Sequence, residues 1–329
     1  MALIVGIEST AHTLGVGVVE KGKILANVRD SYTTEKGGII PLEAAKHHQH
    51  VKEKVLAEAV DKANISLDSV DAFALSQGPG LAPCLLEGMR FSKDLSEKYH
   101  IPLVPVNHCI AHLEIGKITG AKDPILLYTS GANTQIIAYA SGKYRVLGET
   151  LDIGIGNCLD TFARYAGMGF PGGPKIAELA FLGKKYIELP YSIKGMDVAF
   201  SGILTNIKQK WEIKKYSMED LSYSLQETAF AMLVEAAERA LAHMGKDELV
   251  LGGGVGCNKR LQEMCRIMCR ERGARFFVPE NSLLVDNGAM IAYAGEMMFE
   301  KGIFVPAGEV EKIDILPRQR TDDVEIKYL

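Results

Sequence analysis

The chain has 329 residues, 47% hydrophobic and 24% charged, with a formal net charge of −4. That balance describes a globular protein of one large or two medium domains, and it argues against general affinity for nucleic acid, so any RNA contact must come from a local patch. No apolar run approaches the roughly 18 residues that span a membrane. The start Met1-Ala2-Leu3-Ile4-Val5-Gly6 lacks the basic region of a signal peptide, and the six cysteines form no C-x-x-C pair, so a cytoplasmic chain with reduced thiols and no membrane partner is expected.

Leu3 to Ile7, Leu14 to Val19 and Ile24 to Val28 read as strands, the last two joined by a Lys21-Gly22 turn, so the chain opens with an antiparallel meander. A helix is predicted from Pro41 to Asn64, where Val51, Val55, Leu56, Ala59 and Val60 keep helical spacing. A strand at Ala72 to Ser76, a helix from Leu85 to Tyr99 and a strand at Leu103 to Val106 complete the unit. The order β-β-β-α-β-α-β then restarts. Ile125 to Thr129, Thr134 to Tyr139 and Tyr144 to Gly148 are its three strands. Helices follow at Leu159 to Ala166, Ile176 to Leu182 and Leu221 to His243. A strand at Leu249 to Leu251, a helix from Lys259 to Glu271, a strand at Arg275 to Val278 and a helix from Asn287 to Glu300 close the chain.

Two such units predict an α/β, duplicated, RNase H-like fold of the actin, hexokinase and chaperone-ATPase superfamily, with a nucleotide cleft between two lobes. The expected lobes are residues 1–122, completed by the C-terminal tail, and 123–329, with a helical insertion at about 151–220. In that superfamily the turns after the first strand of each lobe hold phosphates. Here those turns contain Ser9, Thr10 and His12, and Ser130, Gly131, Ala132 and Asn133, small and hydroxyl-rich as close approach to an anion requires. No G-x-x-x-x-G-K-[ST] run exists, so a P-loop enzyme is set aside. Gly252-Gly253-Gly254-Val255-Gly256 places Cys257 where a dinucleotide fingerprint needs glycine, and reads instead as a floor under an adenine or ribose, with Asn258 as a hydrogen-bonding partner. Asp160, expected to open a helix or lie in its first turn, is either a cap or a ribose acceptor. Gly172-Gly173 would let the backbone lie against a sugar.

His108 and His112 stand at i and i+4, on one face of a helix. Zinc metalloproteases use this spacing, but their general-base glutamate is here Cys109. Further ligands must come from elsewhere, and Tyr128 and Asp286 are the candidates, Asp286 being equally suited to capping the last helix. Two imidazoles, a phenolate and a carboxylate favour iron, with zinc as the alternative.

Taken together, Gly6-Ile7-Glu8-Ser9-Thr10, Gln77-Gly78-Pro79-Gly80, Asn107-His108-Cys109-Ile110-Ala111-His112, Tyr128-Thr129-Ser130-Gly131-Ala132-Asn133-Thr134-Gln135, Gly253-Gly254-Val255 with Asn258, and Asp286-Asn287-Gly288-Ala289-Met290 carry a resemblance over essentially the whole chain. The chain resembles the universal tRNA threonylcarbamoyl-adenosine transferase family (TsaD in bacteria, the catalytic KEOPS subunit in archaea and eukaryotes, formerly regarded as an O-sialoglycoprotein endopeptidase). The Ser130 turn and the tail Pro317-Arg318-Gln319-Arg320-Thr321-Asp322 look archaeal. The resemblance implies transfer of a threonylcarbamoyl group from threonylcarbamoyl-AMP to the exocyclic amine of the adenosine next to the anticodon of ANN-decoding tRNAs. It implies one metal ion per subunit on His108, His112, Tyr128 and Asp286. It implies an adenine nucleotide, threonylcarbamoyl-AMP or ATP with magnesium, against Tyr128, Thr129, Ser130, Gly131, Ala132, Asp160, Gly173 and Asn258. Many relatives carry an acidic residue where this chain has Ala177; Glu178 follows it and is a weaker candidate. The implied partners are tRNA and KEOPS-type subunits, including a small kinase-like protein, fused to this domain in some archaeal chains, and a small dimerising subunit.

No residue stands out as general base; His12 is a candidate only by position. A lysine-rich stretch from Lys184 to Lys215, net +4, is a candidate RNA face. The rivals are a metalloprotease, an ATP-dependent small-molecule kinase or ATPase of the same superfamily, and a non-catalytic ATP-binding scaffold.

Overall fold

A computed structural model describes residues 2–34 and 38–328. The first sheet contains β1 (Leu3–Glu8), β2 (Thr13–Glu20), β3 (Lys23–Ser31), β4 (Ala72–Gly78) and β5 (Leu103–Asn107), in the spatial order β3-β2-β1-β4-β5. The meander pairs antiparallel, whereas β4 and β5 add parallel to β1. Helices α1 (Pro41–Ala63) and α2 (Ala82–Tyr99) supply its crossovers, and α3 (His108–Gly116) leaves β5 directly. The second sheet repeats the plan with β6 (Ile125–Thr129), β7 (Thr134–Ala140) and β8 (Lys143–Glu149). After it come α4 (Ile155–Tyr165), α5 (Gly173–Leu182), a short hairpin of β9 (Ile193–Lys194) and β10 (Asp197–Val198), α6 (Ser201–Glu212) and α7 (Met218–Met244). Next are β11 (Glu248–Gly252), α8 (Lys259–Arg272), β12 (Arg275–Phe277), α9 (Asn281–Leu284) and α10 (Gly288–Glu300), and the sheet order is β12-β11-β6-β7-β8. Central strands β1 and β6 are buried at every residue, which explains their unbroken apolar runs. Among the described residues no helix is long and apolar enough to cross a membrane.

Sequence order and spatial order part company at two helices. Strands β1 to β5 form the first sheet and β6, β7, β8, β11 and β12 the second, but α10 lies on the first sheet, against β1, β2 and β4. Its backbone comes so close that a Cβ at Gly6 would stand 2.2 Å from the Ala292 nitrogen, and one at Gly17 would stand 2.1 Å from the Ala289 nitrogen. Only glycine permits that approach. Helix α3, buried along its length, packs in turn on α10 and β11. The two helices thus stand between the sheets, and the junction of the lobes is built from α3, α10 and the strand ends beside them.

His48 on α1 is 1% exposed, and its Nε2 meets the Ala11 carbonyl oxygen at 3.1 Å. Burial pushes it down to about 4. The unfolded chain therefore binds a proton at this site below about pH 6.5 that the folded chain refuses until about pH 4. Its contribution to stability is complete above pH 6.5 and falls by about 3 kcal/mol as the pH drops through the folded value. Urea unfolding of His48→Gln beside the unaltered protein checks this: the variant should lose less stability between pH 7 and pH 4.

Candidate metal centre and nucleotide cleft

Strand β5 runs into α3 at Asn107, whose Oδ1 caps the helix by accepting from the Ile110 amide at 3.1 Å. The next residue is His108, and one turn later comes His112; both rings are buried. Asp286 arrives from the loop between α9 and α10, and Tyr128 from the end of β6. Asp286 Oδ1 lies 3.3 Å from His112 Nε2 and 3.5 Å from His108 Nε2, and the Tyr128 hydroxyl lies 3.3 Å from His108 Nε2. Ligand-capable atoms of His108, His112 and Asp286 all fall within 4.8 Å of one another. Asp286 is not the cap of α10: Asn287 takes that role, accepting from the Met290 amide at 3.0 Å, which leaves the Asp286 carboxylate to face the histidines.

Behind His108 stands Glu8, fully buried at the end of β1. Its Oε2 is 3.0 Å from His108 Nδ1, while its Oε1 accepts from the Thr10 amide at 2.7 Å and the Thr10 hydroxyl at 2.5 Å. This carboxylate was not singled out in the sequence, although a glutamate closing an otherwise apolar buried strand is a signal that could have found it. Burial opposes charge on His108, but the Glu8 carboxylate and its hydrogen bond, helped by Asp286, raise the ring to about 9. Burial pushes His112 down, partly offset by its contact with Asp286. Burial would push Asp286 up, yet the hydrogen bond from His112 and the charges of both histidines hold it below the usual carboxylate range. Burial raises the Tyr128 phenol well above its ordinary value. Two carboxylates facing two imidazoles make a pocket that favours positive charge, and the donor set fits a divalent cation. Glu8 would hold His108 in the tautomer whose Nε2 is free to ligate. His112 Nδ1 is buried with no hydrogen-bond partner among the described residues, so His108 is the better oriented of the two.

The two predicted phosphate turns differ. Ser9 and Thr10 are buried, and their amides donate to Ser76 Oγ and Glu8 Oε1. His12 is half-buried, its ring edge-on to Phe170 at 5.4 Å, and close enough to Asp160 and Asp286 to bear on their ionisation. In the second turn, Ser130 N–H donates to the Asn133 carbonyl, and Asn133 N–H to Ser130 Oγ. Gly131 and Ala132 are exposed at the tip. Thr129 is buried, with its hydroxyl donating to the Gly252 carbonyl. At Gly253, with φ +85°, a Cβ would stand 2.4 Å from the Thr129 carbonyl oxygen. The glycine run is therefore required by the close approach of β11 to β6.

Asp160 lies in the middle of α4 rather than in its first turn, because the helix already begins at Ile155. Its Oδ1 accepts from the amides of Gly172 at 2.8 Å and Gly173 at 3.0 Å, so it caps α5 from outside. Burial raises this carboxyl, and the two amides oppose the rise. Asn258 caps α8: its Oδ1 accepts from Arg260 N–H at 2.9 Å, and its Nδ2 donates to Gln226 Oε1. Glu178 is exposed on α5, about 140° around the helix from Gly173.

The structure is thus a two-sheet α/β fold of the actin-like ATPase type, with a His-His-Asp cluster where its lobes meet. Residues 23–293 match the family TsaD, described as tRNA N6-adenosine threonylcarbamoyltransferase. The chain belongs to that family of transferases acting in tRNA modification. It is 55% identical over 326 residues to the tRNA N6-adenosine threonylcarbamoyltransferase of Thermococcus kodakarensis, covering 99% of each chain. It is 52% identical to a probable bifunctional tRNA threonylcarbamoyladenosine biosynthesis protein of Methanosarcina mazei, and spans 59% of that longer chain. Among solved structures, T. kodakarensis HypF superposes with a TM-score of 0.64 at 15% identity, over 91% of this chain and 47% of that one, a likeness of fold alone.

Proposed function

We propose that this chain transfers a threonylcarbamoyl group from threonylcarbamoyl-AMP to the exocyclic amine of the adenosine next to the anticodon of ANN-decoding tRNAs, in the cytoplasm. The observation that carries the reading is the convergence of His108, His112 and Asp286 at the junction of the lobes, with Glu8 behind them, in a chain of the threonylcarbamoyltransferase family. The reaction forms a nitrogen–carbon bond at the carbamoyl carbon and breaks its bond to the AMP oxygen; the amine loses a proton and AMP leaves.

His108, His112 and Asp286, with Tyr128 as fourth donor, would hold one cation, iron by the hardness of the set and zinc as the alternative. When bound, such an ion supplies Lewis acidity toward a carbamoyl or phosphate oxygen. The chain's own part is to bind and orient. The Gly131 and Ala132 amides are the donors suited to an oxygen that gains charge, since those of Ser130 and Asn133 are used inside the turn. Asp160, Gly173 and Asn258, beside Thr129 and Ser130, form the proposed nucleotide wall, and His12 lies where it could meet a phosphate. Glu178 is outside this set by helix geometry. An adenosine amine is a weak nucleophile, so positioning must supply much of the rate, and the base must be unstacked to enter the cleft. ATP with magnesium, a kinase-like subunit and a small dimerising subunit belong to the same proposal. The bifunctional relatives, longer than this chain, support the second of these. The test is transfer of labelled threonine into tRNA by the purified protein supplied with threonylcarbamoyl-AMP. Formation of threonylcarbamoyladenosine is expected. Peptide cleavage, or ATP turnover independent of tRNA, without that product would sink the reading.

The RNA face we propose includes α6. On α6 and in the turn after it, Lys208 lies 5.1 Å from the Tyr165 ring, Lys214 lies 3.7 Å from the Trp211 ring, and Lys210 and Lys215 flank Tyr216. Reversing Lys208 and Lys210 to glutamate is expected to weaken tRNA binding about tenfold at low salt and to reduce the slope of log affinity against log salt by about 2. Filter binding across a salt series reads both, and an unchanged slope removes this face.

A further inference from the structure

The tail motif Pro317 to Asp322 has no part in the function proposed above, yet it crosses the molecule at its centre. Before the motif, the chain belongs to the first lobe. Ile313 and Ile315 pack in its core, Leu316 N–H donates to the Gln77 carbonyl at 2.8 Å, and Gly80 N–H donates to the Pro317 carbonyl at 3.2 Å. Gly78 faces the tail so closely that a Cβ there would stand 1.9 Å from the Leu316 carbonyl oxygen. After the motif, the chain belongs to the second lobe. Arg320 reaches Glu149, the backbone at Glu325 pairs antiparallel with that at Lys143 on β8, and Ile326 and Tyr328 are buried with Tyr128 and Tyr144. At the crossing, Gln319 Oε1 accepts from Asn107 Nδ2 at 2.9 Å, and the Thr321 hydroxyl meets the Cys109 thiol. Asn107 is the cap of α3, and its other amide atom holds the Ile110 N–H.

We propose that residues 313–328 form a strap tying the two lobes together, and that Gln319 at its crossing is a positioning residue for the His108–His112 helix. A bound cation must find both imidazoles in register, and the helix start that sets their register is fixed by one side-chain amide. That amide has two ends, one in the helix and one in the strap, so a shift between the lobes is felt at His108 through Asn107. A cavity of about 220 Å³ lies beneath the crossing, lined by Asn107, Ile110, Met298 and Gln319 among others. Packing there is thin, which leaves the polar contact to fix the position. The positioning role rests on the metal reading above; the strap does not.

Gln319→Ala and Gln319→Glu in the full chain separate these parts. Glutamate keeps an acceptor for Asn107 Nδ2, whereas alanine removes it. Amide hydrogen exchange, which needs no metal, should rise about tenfold across residues 107–113 in Gln319→Ala, with β1 and β7 unchanged, and return to the original rate in Gln319→Glu. Titration with cobalt(II), followed by its visible absorption, should show an affinity about three- to tenfold weaker in Gln319→Ala and restored in Gln319→Glu. Unchanged exchange at 107–113 overturns the strap as the support of α3. Raised exchange with unchanged cobalt affinity overturns the positioning role, and so does a rise spread evenly over the whole chain. If the unaltered protein fails to bind cobalt, the metal reading and the positioning role fall together, while the exchange result still decides the strap.

Discussion

Asp286→Asn is expected to abolish tight metal binding and to lower threonylcarbamoyl transfer by about 10³-fold while leaving the fold intact. Among the described residues Asp286 is the one carboxylate whose oxygen stands within 3.5 Å of both imidazole Nε2 atoms, and its side chain is 19% exposed, so it looks onto the cleft. Asparagine keeps its shape and removes its charge. Lewis-acid chemistry is worth several kcal/mol, and each 1.36 kcal/mol is tenfold in rate. The cap of α10 is Asn287, so the helix should not unravel. The depressed carboxyl contributes stability above about pH 4 that fades as the pH falls through its folded value. The variant should therefore be somewhat less stable at neutral pH and indistinguishable from the parent in strong acid. Metal content, thermal midpoint and labelled-threonine transfer are the measurements. Retained metal with a rate within tenfold of the parent would falsify the placing of the cation at Asp286.

The second large effect is expected at Glu8, which reaches the metal site only through His108. Its two oxygens serve different partners: Oε1 takes the Thr10 amide and hydroxyl, and Oε2 takes His108 Nδ1. A glutamine has only one acceptor oxygen. If that oxygen serves Thr10, the amide NH2 must face His108 Nδ1, which then accepts a hydrogen bond and forces the ring proton onto Nε2. That is the atom the metal site needs bare. Glu8→Gln is expected to weaken metal affinity by about 10- to 100-fold with little change in far-ultraviolet circular dichroism. Cobalt titration reads this directly. Glu8→Ala should be worse for the fold, since it leaves the Thr10 amide buried without its acceptor and only the Thr10 hydroxyl, 3.3 Å away, to meet His108 Nδ1. Equal cobalt affinity in Glu8→Gln and the parent would mean that the tautomer of His108 is set by something else.

Much of the site was legible because its signals are local. The i, i+4 spacing of His108 and His112 needs only a helix, and β5 running into an Asn107 cap supplies one. The strands were legible because β1 and β6 are buried on both faces and are apolar up to their last residues, Glu8 and Thr129. Other features were not. Asp160 was placed at the start of its helix, because the helix start at Ile155 follows Gly154 and carries no Ser, Thr, Asp or Asn cap. Asp286 looked equally like a cap, and only the geometry of Asn287 separates the two roles. Ser9 and Thr10 had the chemistry of an open phosphate turn, but their amides are taken by Ser76 and Glu8, residues whose reach the sequence does not reveal.

By itself the sequence determined the two repeated units, the order of elements within each and the family, because hydrophobic period and motif order are written along the chain. The tertiary structure alone decided that α10 lies on the first sheet, that Glu8 stands behind His108, and that the tail crosses between the lobes at Asn107. Each of these joins residues tens to hundreds of positions apart. The contact of β1 and β2 with α10 depends on the missing Cβ atoms of Gly6 and Gly17, and that of Glu8 with His108 on how the ends of β1 and β5 stand across the intervening β4. Such distances are set by how closely backbones pack, and no pattern within a single segment records them.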